Sequence, residues 1–191
     1  MKNILVSVAL ALMLGPVSAL AGLDVSAYEE LTKVVDPRVD KRGDPVDDEA
    51  EIRLYAADFP ERMDVLEDKA IYRFRRKHGF GVGSHTWYNK WRNELAKLAG
   101  YAPTAVTSAG KSEPRYDETV WKLSSGPFYE LIHFSDAEGT IGPKSSAKLH
   151  RDFVAFRKRA MGHPDKAFRD TYLEFEKAFG LASKNGAVVF H

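Results

Sequence analysis

The chain has 191 residues, with 28 basic against 27 acidic side chains for a formal net charge of +1, and it has no cysteine. The length suits a single domain, and the near-zero charge argues against a protein that coats nucleic acid. The absence of cysteine excludes disulfide-stabilised scaffolds, thiolate zinc sites and thiol nucleophiles. We therefore expect no nucleic-acid partner, no cofactor and no bound metal.

Residues 1–21 have the pattern of a secretory signal peptide. Lys2 precedes an uncharged apolar run over residues 4–14, and Ala19-Leu20-Ala21 supplies the small residues of a cleavage site. The apolar run of about 11 residues is shorter than the roughly 20 that a membrane-spanning helix needs. We predict cleavage near Ala21 and a periplasmic or secreted mature protein without a stable membrane anchor. A retained anchor is the alternative.

Opposite charges are segregated along the chain. Residues 22–70 contain 15 acidic and 7 basic side chains, whereas residues 71–100 contain 7 basic side chains and 1 acidic one. If the acidic segment packs against the basic one, their fields cancel within the molecule. The alternative is a separate acidic arm that binds a partner.

Helix-capping patterns recur along the chain, and alternating strand patterns are almost absent. Ser26-Ala-Tyr-Glu29 has the form of a capping box and predicts a short helix that Asp36-Pro37 ends. Residues 36–48, with two prolines and a glycine, predict an acidic loop. A second helix is predicted over residues 48–57.

A longer helix is predicted from Pro60 to the basic residues before Gly79. Proline is tolerated in a first helical turn, and several apolar residues further on share one helical face. These are Met63, Leu66, Ala70 and Phe74. Because it lacks the companion residues of a phosphate-binding loop, Gly79-x-Gly-x-Gly83 predicts only a flexible helix connection.

The second half of the chain predicts further helices. Ser84 is a candidate N-cap for a helix that ends at Gly100. The small and polar residues 101–115 predict a flexible loop. Short helices are expected over residues 117–123 and after Gly126-Pro127, followed by a loop over 135–143.

Two apolar stripes in the last third of the chain predict a helical hairpin. The first contains Leu149 and Phe153, and the second contains Phe168 and Tyr172. Val188-Val189-Phe190, a run of β-branched and aromatic residues, predicts an edge strand or a packed tail. We therefore expect residues 22–191 to form a mainly α single-domain bundle of six or seven helices with at most a minor β element.

The densest polar group lies in residues 133–140. His133, Asp136 and Glu138 combine an imidazole that titrates near neutrality with two carboxylates, which suits acid–base catalysis or a divalent cation. The spacing matches no zinc pattern, and a calcium loop fails because Ala147 stands where an acidic ligand is needed. The alternative is a helix-terminating turn in which these residues have only capping roles.

A second group interleaves aromatic side chains with hydrogen-bond donors. It consists of His85, Trp87, Tyr88, Trp91 and Arg92. Such a set can stack on sugar rings, bases or the side chains of a partner, which makes it a candidate partner-binding surface. Because Trp87 and Trp91 share helical spacing with Leu95, part of the stripe equally fits a buried core. His85, Tyr88 and Arg92 then remain as surface residues.

Three stretches of the chain form a distinctive pattern. They are Gly83-Ser-His-Thr-Trp-Tyr-Asn-Lys-Trp-Arg92, Gly126-Pro-Phe-Tyr-Glu-Leu-Ile-His-Phe-Ser-Asp-Ala-Glu-Gly-Thr-Ile-Gly142 and Asn185-Gly-Ala-Val-Val-Phe-His191. This pattern, within residues 70–191, resembles a group of uncharacterised, usually cytosolic, bacterial and phage-encoded proteins, and the resemblance implies no activity. That group has a cysteine at the position of Ala137 and an asparagine at that of His133. The missing thiol fits export to an oxidising compartment.

Two functional hypotheses follow. The first, which we favour because no catalytic motif is present, is an exported non-catalytic protein that binds a protein or cell-envelope partner, as an inhibitor or immunity protein does. The second is a small acid–base or metal-assisted hydrolase, with His133 as base or ligand, Asp136 as its orienting group or a ligand, and Glu138 as acid. The second hypothesis requires His85 to lie near residues 133–138.

Overall fold

A computed structural model describes residues 22–108 and 110–191. The predicted signal peptide, residues 1–21, lies outside the described residues. The strands are β1 (Leu23–Glu29), β2 (Thr32–Lys33), β3 (Glu51–Arg53), β4 (Ile71–Arg73), β5 (Arg76–Gly83), β6 (Thr104–Ser108), β7 (Lys111–Arg115), β8 (Gly139–Ile141) and β9 (Ala187–Phe190). The α-helices are α1 (His85–Ala99), α2 (Asp117–Val120), α3 (Tyr129–Ile132), α4 (Pro143–Met161) and α5 (Lys166–Ala182), and a 3-10 helix spans Pro60–Met63.

The strands form three antiparallel sheets. The main sheet has the order β5-β1-β9-β8, a small sheet has the order β2-β4-β3, and β6 pairs with β7 as a hairpin. Helices α1, α4 and α5 share the main core with one face of the main sheet. The small sheet packs on part of the opposite face, where Tyr28 and Val189 join a second apolar cluster.

The expectation of a mainly α, all-helical bundle is wrong, because this is an α/β fold. Ser26–Glu29, predicted to open a helix, lies in β1, which is paired on both sides. Residues on both faces of β1 are buried, so the polar–apolar alternation typical of a half-exposed strand is missing from its sequence. The predicted helix over residues 48–57 is replaced by β3 and turns.

The predicted long helix after Pro60 is also wrong. The chain makes one 3-10 turn and leaves it at Asp64, whose φ of 59° lies in the left-handed region. It then turns again at Lys69, with a φ of 63°, and enters β4 and β5. The apolar residues that suggested one helical face do share a cluster, but turns and strands bring them together there.

Two segments predicted to be irregular are strands. Residues 101–115, predicted to be a flexible loop, contain the β6–β7 hairpin, and the predicted loop 135–143 contains β8. The glycine-rich connection before Ser84 is part of β5. The run at 188–190 lies in β9, which is an interior strand between β1 and β8 and not an edge. Residues 36–48 are largely irregular, with one isolated bridge between Val39 and Pro45.

The longer helices of the second half are confirmed. Helix α1 begins after Ser84, whose Oγ accepts a 3.2 Å hydrogen bond from the Trp87 N–H, and it ends at Gly100 with a φ of 92°. Helices α4 and α5 form the predicted hairpin. No helix in the described ranges is long and apolar enough to cross a membrane.

Ion pairs connect the acidic and basic segments within the molecule. Glu29, Glu30 and Glu51 pair with arginines of the following segment, at 2.5, 2.6 and 2.9 Å. Their respective partners are Arg76, Arg75 and Arg73. The predicted intramolecular cancellation of charge is therefore present.

Candidate functional site

The three predicted catalytic side chains lie in three separate environments. His133 follows α3 and contacts aromatic rings. Asp136 faces α1, where Asn89 Nδ2 donates a 2.7 Å hydrogen bond to its carboxylate. Glu138 lines a polar cleft on the other side of the main sheet. Within the described residues, no group of three or more such side chains is arranged to hold a metal ion.

His85 does approach the 133–138 segment, but through the backbone. Its Nδ1 lies 2.5 Å from the carbonyl oxygen of Asp136, so this ring nitrogen is a hydrogen-bond donor to the loop. Together with Asn89, it fixes the loop against the first turns of α1. The arrangement stabilises a turn and leaves the Asp136 carboxylate engaged by an amide.

Most of the predicted partner-binding group is buried. Tyr88 is fully buried, Trp91 is 1 % exposed and Arg92 is 6 % exposed. Only His85 and Trp87 are half-buried and reach the surface. The hydrogen bond from Trp91 Nε1 to the carbonyl oxygen of Phe168, at 3.2 Å, also belongs to the interior. Most of this stripe is therefore part of the α1 core face.

Arg92 is an interior structural residue. Its Nη1 donates to the carbonyl oxygens of Ile132 at 3.3 Å and Phe134 at 2.6 Å. Its guanidinium also lies over the ring of Tyr88, 4.7 Å from the centroid. Arg92 thus satisfies backbone carbonyls at the end of α3 and ties that end to α1.

Glu138 lies in a cleft of about 730 Å³ between the 40–48 loop and the main sheet. Tyr55 and Lys77 also line this cleft, as do charged residues of both signs. Neither His133 nor Asp136 is among the lining residues. Glu138 therefore has no histidine or carboxylate from the predicted catalytic set beside it.

His133 is held in an aromatic environment that the sequence did not reveal. The centroid of the Trp121 ring lies 4.3 Å from that of His133, Tyr129 stacks on it at 5.2 Å, and Phe59 meets it edge-on at 5.8 Å. Arg62 Nη2 lies 3.3 Å from His133 Nδ1, and the Arg62 guanidinium lies 4.9 Å from the Tyr129 centroid. Because an arginine can only donate, Nδ1 is the acceptor and the imidazole is neutral.

The pKa of His133 is correspondingly lowered from the ordinary histidine value. Burial is the main cause, and the positive charge of Arg62 adds to it. Arg62 itself is 8 % exposed and is fixed by a second hydrogen bond, to the carbonyl oxygen of His133 at 3.4 Å. The side chains of Phe59, Arg62, Tyr129 and His133 thus form a rigid platform beneath Trp121.

Over this rigid platform, residues 121–125 form an exposed loop. Trp121 is 43 % exposed and Leu123 is 42 % exposed. Backbone hydrogen bonds from Lys122 to Thr119, at 3.2 Å, and from Leu123 to Val120, at 3.0 Å, hold the loop in a helical turn. The loop therefore presents two large apolar side chains to solvent in a fixed conformation.

We define the aromatic surface as Phe59, Trp121, Leu123, Tyr129 and His133. Of these, only His133 was a predicted site residue. The one sequence signal for the others is Trp121-Lys122-Leu123 before Ser124-Ser125, which puts two large apolar side chains close together in a segment with polar neighbours. No family model, curated protein or solved structure matches the chain.

Proposed function

We propose that this chain is an exported, non-catalytic protein that binds another protein through the aromatic surface, in the manner of an inhibitor or immunity protein. The observation that supports this most is the exposed pair Trp121 and Leu123, because Trp121 packs on a rigid platform of side chains. Tryptophan, tyrosine and arginine dominate the energetic centres of protein interfaces. Trp121 and Tyr129 supply two of these residue types at the surface, and the buried Arg62 supports them from beneath through its contacts with His133 and the Tyr129 ring.

Rigidity favours binding because little conformational entropy remains to be lost. His133 contacts Trp121, Tyr129 and Arg62 at once, and Phe59 also packs against Phe134 of the core, at 5.1 Å. The Trp121 ring is therefore preorganised on its inner face while its outer face is open. Preorganisation of this kind raises affinity without adding contacts.

A protein partner fits this surface better than a glycan. Sugar-binding platforms combine an aromatic face with polar donors and acceptors beside it, whereas this loop adds a second large apolar side chain, Leu123, which is 42 % exposed and follows Trp121 after the exposed Lys122. Apolar surface of this kind is stabilised by burial against another apolar surface. The partner is thus expected to supply an apolar pocket for Trp121.

The hydrolase hypothesis receives less support. General acid–base catalysis requires two groups within about 3 Å of the reacting atoms. His133 stacks with Trp121, Asp136 accepts from Asn89, and Glu138 lines the cleft on the other face. We therefore do not place a catalytic centre at these residues.

The proposal is tested with the double variant Trp121→Ala/Leu123→Ala and the control Val154→Ala/Leu173→Ala. The control residues are 54 % and 36 % exposed and lie on α4 and α5, so they match the exposure change at a different surface. Proteins captured from envelope extract by the wild-type chain are identified by mass spectrometry, purified and titrated calorimetrically. The wild type and the control are expected to bind alike.

The double variant should weaken binding of the purified partner by about thirtyfold or more, since one interface hot spot contributes about 2 kcal/mol. Equal affinity of all three proteins would refute the assignment of the surface. Binding to purified cell-wall glycan that depends on Trp121, with no protein captured, would instead replace the protein partner by a glycan.

A further inference from the structure

Strand β5 forms one edge of the main sheet, and its outer side is unpaired within the described ranges. It spans Arg76 to Gly83 and pairs only with β1 there, through seven of its eight residues, because a shift of register between Leu23 and Asp24 leaves Val82 without a β1 partner. Lys77, Gly79 and Gly81 are exposed along it. An exposed edge strand of this length is a template for pairing with another strand.

The register identifies which peptide groups of β5 point outward. The His191 N–H donates a 2.9 Å hydrogen bond to the Asp24 carbonyl, so the peptide groups of Asp24 face β9. Strand geometry then directs those of Ser26 and Tyr28 toward β9 as well. The β5 residues opposite Asp24, Ser26 and Tyr28 are Gly81, Gly79 and Lys77. These three residues therefore direct their N–H and C=O groups away from the sheet.

We propose that β5 pairs antiparallel with β5 of a second copy of this chain, about a two-fold axis at Gly79. In this register Gly79 lies opposite Gly79 of the second copy, and Lys77 lies opposite its Gly81. The N–H and C=O groups of all these residues point away from β1 in both copies. Each residue therefore lies opposite a residue whose peptide groups are also free. The pairing joins two four-stranded sheets into one continuous sheet.

The side chains of β5 permit this close approach. Glycine at the two-fold axis removes any side-chain collision on the open face of the sheet. Arg76, which is already paired with Glu29 at 2.5 Å, lies opposite Val82 of the second copy and not opposite another cation. On the helical face, His78 lies opposite Phe80 of the second copy. These two residue types already stack within one copy, at 5.8 Å between ring centroids.

Charge complementarity indicates that the strand that pairs with the β5 edge belongs to a second copy of this chain. Asp24 and Lys77 are both exposed, and neither has an ion-pair partner among the described residues. Asp24 lies beside Gly81 on the neighbouring strand, and Lys77 lies four residues further along β5, about 13 Å from Gly81. Within one copy the two side chains form no ion pair, and Lys77 Nζ lies instead over the Tyr28 ring, 5.7 Å from its centroid.

In the proposed dimer, the contact between the two β5 strands (the seam) brings the same two side chains together. Lys77 of the second copy lies opposite Gly81, and Asp24 lies one strand further in, with about 5 Å between adjacent strands. Gly81 has no side chain, and a Cβ placed there would lie 3.4 Å from Asp24 Oδ1. The lysine side chain therefore crosses Gly81 and reaches the Asp24 carboxylate. The two-fold axis generates this ion pair twice.

This complementarity belongs to the chain itself. A two-fold axis at Gly79 places Lys77 of one copy opposite Gly81 of the other, and Asp24 lies next to Gly81 on β1. The three residues are therefore positioned for the ion pair. A strand from an unrelated protein meets the free peptide groups but has no reason to place a base opposite Gly81. The seam is also separate from the aromatic surface, since the two share no residue.

Charge reversal tests the proposal. The wild-type chain at about 100 µM, above the Kd of a weak dimer, is expected to sediment as a dimer. Asp24→Lys and Lys77→Asp should each raise the dissociation constant about tenfold or more, because each converts both ion pairs into like-charge contacts. An equimolar mixture of the two variants should dimerise again, because a dimer with one copy of each variant has opposite charges at both contacts.

Proline at the two-fold axis provides an independent test. The Gly79 N–H points away from β1, so Gly79→Pro leaves the β1–β5 ladder intact and removes a seam donor. Gly79→Ala is the matched control, since its Cβ would lie 3.8 Å from the nearest atom, Ser26 Oγ. We expect monomers for the proline variant and dimers for the alanine variant, with circular dichroism reporting that both fold.

Hydrogen exchange locates the seam. Dimerisation should slow amide exchange at Lys77, Gly79 and Gly81 as the concentration rises, and leave the intervening amides unchanged. A monomeric wild-type chain at about 100 µM would overturn the proposal. So would a dimer that tolerates Gly79→Pro and both charge reversals, because its interface would lie elsewhere.

Discussion

Arg92 Nη1 donates a 2.6 Å hydrogen bond to the carbonyl oxygen of Phe134, and it does so inside the fold. The same nitrogen lies 3.3 Å from the carbonyl oxygen of Ile132. Both carbonyls stand where α3 ends, and without Arg92 they would be buried without a donor. A side chain that the sequence placed among candidate surface contacts thus joins α1 to the segment that carries His133.

Arg92→Met is therefore expected to lower the free energy of unfolding by about 3 kcal/mol, since it removes charge-assisted hydrogen bonds to two buried carbonyls. For a domain of this size, that corresponds to a fall in Tm of about 6–12 °C. Lys90→Met, an exposed change on the same helix, should stay within about 0.5 kcal/mol. Urea denaturation followed by circular dichroism measures both. Equal stabilities would mean that water replaces the guanidinium.

Gly142 is expected to tolerate no side chain. A Cβ there would lie 2.2 Å from the carbonyl oxygen of Met63, and the Gly142 N–H donates to the Arg62 carbonyl at 2.7 Å. Gly142→Ala must therefore move the backbone at the start of α4, at an expected cost of about 3 kcal/mol or more. In Gly162→Ala the nearest atom would lie 3.4 Å away, so this control should lose less than about 1 kcal/mol. Thermal unfolding of the two variants distinguishes these costs.

The helices α1, α4 and α5 were predictable because local signals agree with their tertiary contacts. Ser84 and Gly100 bound α1 in the sequence and cap it in the structure. The stripe with Phe153 and the stripe with Phe168 and Tyr172 both face the main core. Capping chemistry and apolar periodicity are local properties, so a single sequence carries them.

The strands were not predictable in the same way, because partners distant in sequence decide them. Glu29 ended a capping-box pattern, yet it lies in β1 and pairs with Arg76. Its neighbour Tyr28 is buried beneath the small sheet, which leaves β1 without an exposed face to mark its alternation. The apolar spacing from Met63 to Phe74 matched a helix and arises instead from two turns and a strand.

The candidate site was predictable only in part, since the sequence indicated His133 but not what surrounds it. Trp121 and Phe59 lie 12 and 74 residues earlier in the chain and meet His133 only after the fold forms. His133, Asp136 and Glu138 were grouped by proximity in sequence, and in the structure they have different neighbours: the Trp121 ring, the Asn89 amide and the cleft residues, respectively. Proximity in sequence is informative within a helix and weak across a turn.

Glu29 is expected to make stability depend on pH in the acid range. The hydrogen bond from Arg76 lowers its pKa from the ordinary glutamate value, and the charge of Lys184 acts in the same direction. A lowered pKa in the folded state means that the contribution is fully present above the ordinary value and is lost as pH falls through the folded one. Glu29→Gln should therefore be less stable than the wild type at neutral pH, with a difference that shrinks on acidification.

Urea midpoints measured at successive pH values test this dependence. Glu30→Gln is the control, because its pair with Arg75 is solvent-exposed on both sides and contributes little. A constant difference between the wild type and Glu29→Gln down to strongly acidic pH would contradict the ion pair as its source.

His133 is expected to couple the aromatic surface to pH near neutrality. Burial, and then the charge of Arg62, lower the pKa of His133, so the folded state favours the neutral ring. As pH falls below the ordinary histidine pKa, the unfolded chain takes up the proton first, and the free energy of unfolding falls until the folded pKa is passed.

His133→Gln keeps an acceptor for Arg62 and cannot titrate, so its stability relative to the wild type should rise over the same pH interval. His191→Gln, which removes another histidine with a lowered pKa, should leave that trend in place. Denaturation of the three proteins between about pH 7.5 and 5 measures it, and parallel curves for the wild type and His133→Gln would show that the Arg62–His133 contact does not depend on the neutral ring.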